Sequence, residues 1–209
     1  MNIFQVDHIA LTILGYPLSY IELIATVTGL ISVYYASRAN VLTWPTGIIN
    51  EAALFILFYQ VQLYADMLLQ VYFFIVTLFG WRTWKNNTAK VPVTSTGNFR
   101  LQLLFVITLL ATAIVALLIM QLHRWLPFYF TKPSSYPFAD AFIMVASIIA
   151  TVLLAKKQIE TWYFWLAVDL VSILLYLTKG IYFLSAEYLL FAGLVFSGLL
   201  QWRKKMLYA

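Results

Sequence analysis

The chain has 209 residues, 63% hydrophobic and 10% charged, where an average soluble domain carries roughly 25% charged residues, so there is too little polar surface to cover an aqueous fold. A net charge of +5 and a pI near 9.3 do not indicate nucleic acid, because the basic residues cluster in loops between apolar stretches, as in membrane proteins. With no cysteine, disulfides and thiolate metal sites are excluded, and the length suits one membrane domain spanning 1–209 with no second, soluble domain.

Met1 to Gly15 has no basic leading region and carries Asp7 and His8 among its apolar residues. It does not read as a cleavable signal peptide, and a short interfacial helix ending before Tyr16-Pro17 is expected. A membrane-spanning helix needs about 20 mostly apolar residues. Seven stretches qualify: 19–37, 44–61, 64–84, 101–122, 138–155, 162–178 and 181–202. The two longest connections, Lys85 to Arg100 and His123 to Pro137, flank the fourth stretch. The expected fold class is therefore an all-α integral membrane protein of seven transmembrane helices, with a first three-helix repeat (19–84), a linker helix (101–122) and a second three-helix repeat (138–202).

The repeats are legible residue by residue. A shift of 118 positions places Glu22 on Asp140, Arg38 on Lys156, Asn40 on Gln158, Trp44 on Trp162 and Glu51 on Asp169. After a three-residue slip the match continues with Asp66 on Glu187, Trp81 on Trp202 and Arg82 on Arg203. Paired repeats in an apolar chain point to a solute pathway between two related bundles. An odd linker helix returns the second repeat in the orientation of the first, so the repeats are parallel and related by an axis along the membrane normal. One side of the membrane receives Arg38, Arg82, Lys85, Lys90, Arg100, Lys156, Lys157, Arg203, Lys204 and Lys205; the other receives Arg124, Lys132 and Lys179. That bias places the C-terminus in the cytoplasm and the N-terminus outside.

Candidate site residues concentrate in the second span of each repeat. Trp162, Trp165, Asp169, Ser172 and Tyr176 follow steps of three and four and form one helical stripe. The matching stripe holds Trp44, Gly47, Glu51 and Leu54, with Asn50 beside it. At 1.5 Å per residue Glu51 and Asp169 lie about 10 Å from the basic side, where an ionised side chain costs about 2.5–3.5 kcal/mol. Substrate contact accounts for such a cost; a structural polar contact is the plainer alternative. Asp66 and Gln70 form an i,i+4 pair near the other side, with an interfacial polar cap as the alternative for Asp66. Trp81, Trp84, Trp125 and Trp202 read as interfacial anchors. Aromatic faces with carboxylates suit a flat, positively charged heterocycle. There is no Gly-rich phosphate loop, no HExxH and no histidine inside a span, so no cofactor, no metal and no enzyme chemistry are expected.

Trp44-Pro45-Thr46-Gly47-Ile48-Ile49-Asn50, Gln62-Leu63-Tyr64-Ala65-Asp66-Met67-Leu68-Leu69-Gln70 and Gly80-Trp81-Arg82-Thr83-Trp84, with Glu160-Thr161-Trp162-Tyr163-Phe164-Trp165 and the segment from Gly180 to Tyr188, resemble the Pnu-type vitamin transporter family. The resemblance runs from Leu18 to Lys204. It implies a three-plus-one-plus-three fold similar to full-length SWEET sugar carriers, in the bacterial inner membrane. It also implies facilitated diffusion of an unphosphorylated B-vitamin that a cytoplasmic kinase then traps. Carried onto matching positions, Asn50, Gln70, Trp162 and Trp165 would line a midplane site. Family substrates include nicotinamide riboside, thiamine and riboflavin. Asp66 and Asp169 depart from the Ser and Asn of the nicotinamide riboside branch, and Glu51 stands where an apolar residue is familiar; the added acid argues against neutral riboflavin and favours thiamine, with nicotinamide riboside, also a ring cation, as the alternative. Partners expected are the vitamin and the lipid bilayer; a homo-oligomer is compatible with the sequence. The competing class is a non-transporting membrane interaction protein in which the polar stripe only packs spans together.

Overall fold

Each apolar stretch forms one helix, and each helix stops where the sequence turns polar. The computed structural model describes residues 4–13, 15–60, 64–87, 92–128, 133–178, 180 and 182–207. Its helices are α1 (Tyr20–Ser37), α2 (Thr43–Gln60), α3 (Tyr64–Asn87), α4 (Asn98–Trp125), α5 (Pro137–Ala155), α6 (Thr161–Thr178) and α7 (Tyr182–Leu207). Five of them, α1, α4, α5, α6 and most of α7, are long and apolar enough to cross a membrane. The polar residues Asn50 and Glu51 of α2 and Asp66 and Gln70 of α3 sit on the two helices outside that group.

The N-terminal segment is a hairpin rather than the expected interfacial helix. Strands β1 (Ile9–Ile13) and β2 (Tyr16–Ser19) pair antiparallel, with Ile13 opposite Tyr16 and Leu11 opposite Leu18. Ile9, Thr12 and Ile13 are β-branched, Gly15 turns the chain at φ 83°, and Pro17 cannot continue a helix. The hairpin feeds directly into α1. Ser19 and Glu22 close a capping box there, Ser19 N–H donating to Glu22 Oε2 at 2.8 Å and Glu22 N–H to Ser19 Oγ at 3.3 Å, a cap worth about 0.5–2 kcal/mol.

Neighbours in sequence pack as neighbours in space: α1 on α2, α2 on α3, α5 on α6 and α6 on α7. Two further contacts, α1 on α7 and α3 on α5, close these six helices into a ring, and α4 lies outside against α5. Its exposed Phe105, Leu109, Leu110, Ile114 and Leu117 form an apolar face suited to lipid tails.

Local geometry recurs 118 residues apart. Arg38 (φ −86°, ψ 0°) and Lys156 (φ −85°, ψ 2°) cap α1 and α5, and each is followed by a non-glycine residue at φ 52°, Ala39 and Lys157. Such left-handed residues end helices. The Thr43 hydroxyl donates to Ser32 O at 2.9 Å, and the Thr161 hydroxyl to Ala150 O at 2.8 Å. Trp44 lies against Gly80, where an added Cβ would come within 2.2 Å of its ring; Trp162 lies against Gly198, with 2.6 Å.

The same geometry corrects the register of α3 against α7. Trp44 meets Trp84 edge-on (5.2 Å, 88°) and Trp162 meets Trp202 edge-on (5.3 Å, 90°). Trp84, not Trp81, is therefore the counterpart of Trp202, and no slip intervenes. In this register Gln70 corresponds to Tyr188 and Thr77 to Val195. Nor are Trp84 and Trp202 interfacial anchors: they are 1% and 0% exposed, in one buried cluster with Trp44 and Trp162. Trp125, at 60%, is exposed.

Candidate functional site

The basic end of the ring is closed by that layer of four tryptophans. Trp84 and Trp202 bridge its two halves with ring centroids 6.3 Å apart. Trp84 Nε1–H donates to Ala155 O at 3.1 Å and Trp202 Nε1–H to Ala36 O at 3.0 Å. Lys157 lies over the Trp84 ring at 4.8 Å; burial, and then the charge of Lys205, hold its ammonium below the ordinary lysine pKa. The connection after α3 is pinned to the turn between α5 and α6. Thr94 N–H donates to Lys157 O and Ile159 N–H to Thr94 O, while Glu160 accepts from Ser95 Oγ at 2.5 Å and from Thr96 N–H at 2.8 Å.

Above the tryptophans lie the carboxylates. Glu51 is 8% exposed on α2, and its Oε1 accepts from the Thr77 hydroxyl of α3 at 2.5 Å. Asp169 is 3% exposed at the corresponding place on α6. Among the described residues Glu51 Oε2 and Asp169 Oδ2 are buried with no hydrogen-bond partner, and so are the indole N–H groups of Trp44 and Trp162, two turns below each. Native proteins rarely leave buried polar atoms unpaired. Here they recur at matched positions of the two halves, two acceptors and two donors.

The other predicted residues make packing and hydrogen-bond contacts of their own. Asn50 donates its amide to Ala25 O of α1 at 2.7 Å and converges with Phe191 of α7 over Gly29, whose added Cβ would meet them at 3.0 and 3.3 Å. Gln70 is buried on α3, two turns from Thr77. Tyr176 stacks on Tyr188 (5.5 Å, 22°), and Tyr188 lies within electrostatic reach of Asp169. Trp165 is half-buried and packs against both the tryptophan cluster and the cluster of Ala146, Ala150, Leu153, Phe164 and Val168. The Trp162 ring is committed to Gly198 and Trp202. Asp66 lies in the first turn of α3 with its side chain outside the described residues, and Lys179 lies outside them altogether.

Thr77 and Tyr188 are the contributions that sequence reasoning did not assign. Thr77 reaches Glu51 from another helix, so no periodicity within α2 reveals it. Tyr188 emerges once the 118-residue offset runs through α7 without a slip. At the opposite end, Tyr16 OH donates to Glu22 Oε1 at 2.8 Å. Burial, and then the bond to Glu22, push its pKa up to about 12. Glu187 of α7 lies within electrostatic reach of this pair. An apolar groove of about 440 Å³ between α1 and α7, lined by Leu30, Ile31, Tyr34, Leu190, Gly193 and Leu194, offers almost no polar atom to a vitamin.

Residues 19–204 match the family model described as nicotinamide mononucleotide transporter. The chain belongs to this family. It is 30% identical over 225 residues to the nicotinamide riboside transporter PnuC of Escherichia coli (strain K12), covering 97% of this chain and 94% of that one. The riboflavin/roseoflavin transporter RibM of Streptomyces davaonensis is 28% identical over 186 residues, 87% of this chain and 83% of its own. A crystal structure of the vitamin B3 transporter PnuC shares the fold, with a TM-score of 0.66 at 19% identity over 90% of this chain and 83% of the other. The chain is thus a multi-pass membrane transporter of the Pnu-type vitamin family and not an enzyme.

Proposed function

We propose that this transporter carries unphosphorylated nicotinamide riboside into the cell by facilitated diffusion. The carrying observation is 30% identity to the Escherichia coli nicotinamide riboside transporter across 97% of this chain. The thiamine preference expected from the added carboxylates finds no support among these relatives, and nicotinamide riboside takes its place. A phosphorylated substrate suits the site poorly, because α1, α2, α5 and α6 contain no Lys, Arg or His to pair with a phosphate. Riboflavin, suggested by the likeness to RibM, ranks second because its neutral ring leaves Asp169 without a counter-charge.

The architecture proposed with it is a three-plus-one-plus-three parallel repeat in one membrane domain, similar to full-length SWEET carriers: 19–84, the linker 101–122 and 138–202. The contacts repeated at 118 residues and the position of α4 outside the ring support this reading. The basic end, with Arg38, Lys156, Lys157 and Lys204, is assigned to the cytoplasm of the bacterial inner membrane. Substrate contacts are proposed for Asn50, Glu51, Asp66, Gln70, Trp162, Trp165, Asp169 and Tyr176, with a cytoplasmic kinase consuming the vitamin after entry. Uptake of radiolabelled nicotinamide riboside, thiamine and riboflavin into proteoliposomes tests the reading. Nicotinamide riboside equilibrates fastest, without ATP or an ion gradient; exclusive uptake of another vitamin, or strict dependence on a gradient, overturns it.

A further inference from the structure

Among the described residues neither buried carboxylate, Glu51 or Asp169, has a cationic partner, and the two are not equivalent. Glu51 has one oxygen held by Thr77 at 2.5 Å. Asp169 has no such clamp, because Val195, 3% exposed, stands where α3 has Thr77. The unpaired Asp169 Oδ2 instead shares its surroundings with Tyr188, stacked on Tyr176. No Lys, Arg or His occurs on α6, on its neighbour α5, or on α7 before Arg203. An unpaired carboxylate inside a membrane bundle is costly, and a ligand cation relieves it. Aromatic faces add to the attraction for a flat cation.

We propose that Asp169, backed by the Tyr176–Tyr188 stack, selects the substrate by the permanent positive charge of its ring, whereas Glu51, set by Thr77, accepts a hydrogen bond from an uncharged part of the same ligand. This assignment deepens the vitamin-carrier reading and rests on it.

The test uses the full-length protein, purified and in proteoliposomes, with nicotinamide riboside (a pyridinium cation) and its reduced dihydro form, which has nearly the same shape and no charge. The wild type prefers the cation. Asp169→Asn reduces that preference by at least roughly tenfold, as expected when one member of a buried charge pair is removed. Glu51→Gln and Thr77→Val weaken both forms alike and keep the preference. Unchanged cation preference in Asp169→Asn, or equal loss of it in Glu51→Gln, overturns the assignment. Thermal melting shows that each variant is folded; if Asp169→Asn does not fold, Asp169→Ser and Tyr188→Phe replace it, and Tyr188→Phe, which retains the carboxylate and the ring, keeps the preference. Thiamine (a cation) and riboflavin (neutral) separate the two readings. Transport of thiamine but not nicotinamide riboside, with the thiamine preference lost in Asp169→Asn, sinks the substrate reading and upholds the charge reading. Equal acceptance of charged and neutral ligands by the wild type overturns the charge reading alone.

Discussion

Trp84 and Trp202 sit ring to ring at 6.3 Å, and each donates its indole N–H across the ring of helices to a carbonyl of the opposite trio. The two bonds are near-copies: α3 to the end of α5, and α7 to the end of α1. Together they tie the trios at the basic end.

Replacing Trp84 or Trp202 with Phe keeps an aromatic ring and deletes one cross-trio bond. Each single change lowers stability by about 1 kcal/mol or somewhat more, since a hydrogen bond contributes about 0.5–1.5 kcal/mol and the orphaned carbonyl adds to the loss. Melting of detergent-purified protein measures it. Equal stability of Trp84→Phe, Trp202→Phe and the wild type contradicts the tie.

Gly80→Ala and Gly198→Ala place a Cβ within 2.2 and 2.6 Å of the Trp44 and Trp162 rings. Both destabilise by about 1–3 kcal/mol through overpacking, Gly80→Ala more. Pairing Gly80→Ala with Trp44→Phe recovers part of the loss. Gly193→Ala, with nothing within 4 Å of the added Cβ, is nearly neutral, and its melting temperature serves as the reference.

Glu160→Ala releases the Ser95 and Thr96 bonds that hold the connection before α4. Bonds to a charged group contribute about 1.5–3 kcal/mol. Hydrogen exchange at the Thr94 and Ile159 amides should quicken while that at α2 stays unchanged. Unaltered exchange at both amides places the restraint elsewhere.

Tyr16 donates to Glu22, and its folded pKa of about 12 lies above the ordinary tyrosine value of 10.0. A group raised in the folded state contributes stability that is complete below the unfolded pKa and lost as pH rises through the folded one. The hairpin-to-α1 contact therefore holds to about pH 10 and weakens towards pH 12. Tyr16→Phe removes this dependence, as a comparison of alkaline melting curves shows.

The helices were legible because hydropathy is a one-dimensional property: the expected 101–122 and 138–155 became Asn98–Trp125 and Pro137–Ala155. The hairpin was not legible, since Ile9 to Ile13 is short and apolar, and pairing with Tyr16–Ser19 rather than local pattern makes it a strand. The slip between Trp81 and Trp84 has a similar cause. Three residues are nearly one helical turn, so both indoles share a face and sequence matching cannot choose between them. A tryptophan near the end of a span reads the same whether it faces lipid or a partner helix.

By itself the sequence determined that this is a membrane chain of seven helical stretches, and it set the expectation of a repeat around a linker with acidic residues at matching positions. Those properties follow from composition and spacing, which need no third dimension. Only the tertiary structure decided that Trp84 pairs with Trp202, that Thr77 holds Glu51, and that Asp169 has no such clamp. Each depends on which side chains from different helices meet, and that is set by packing across the ring rather than by any period along the chain.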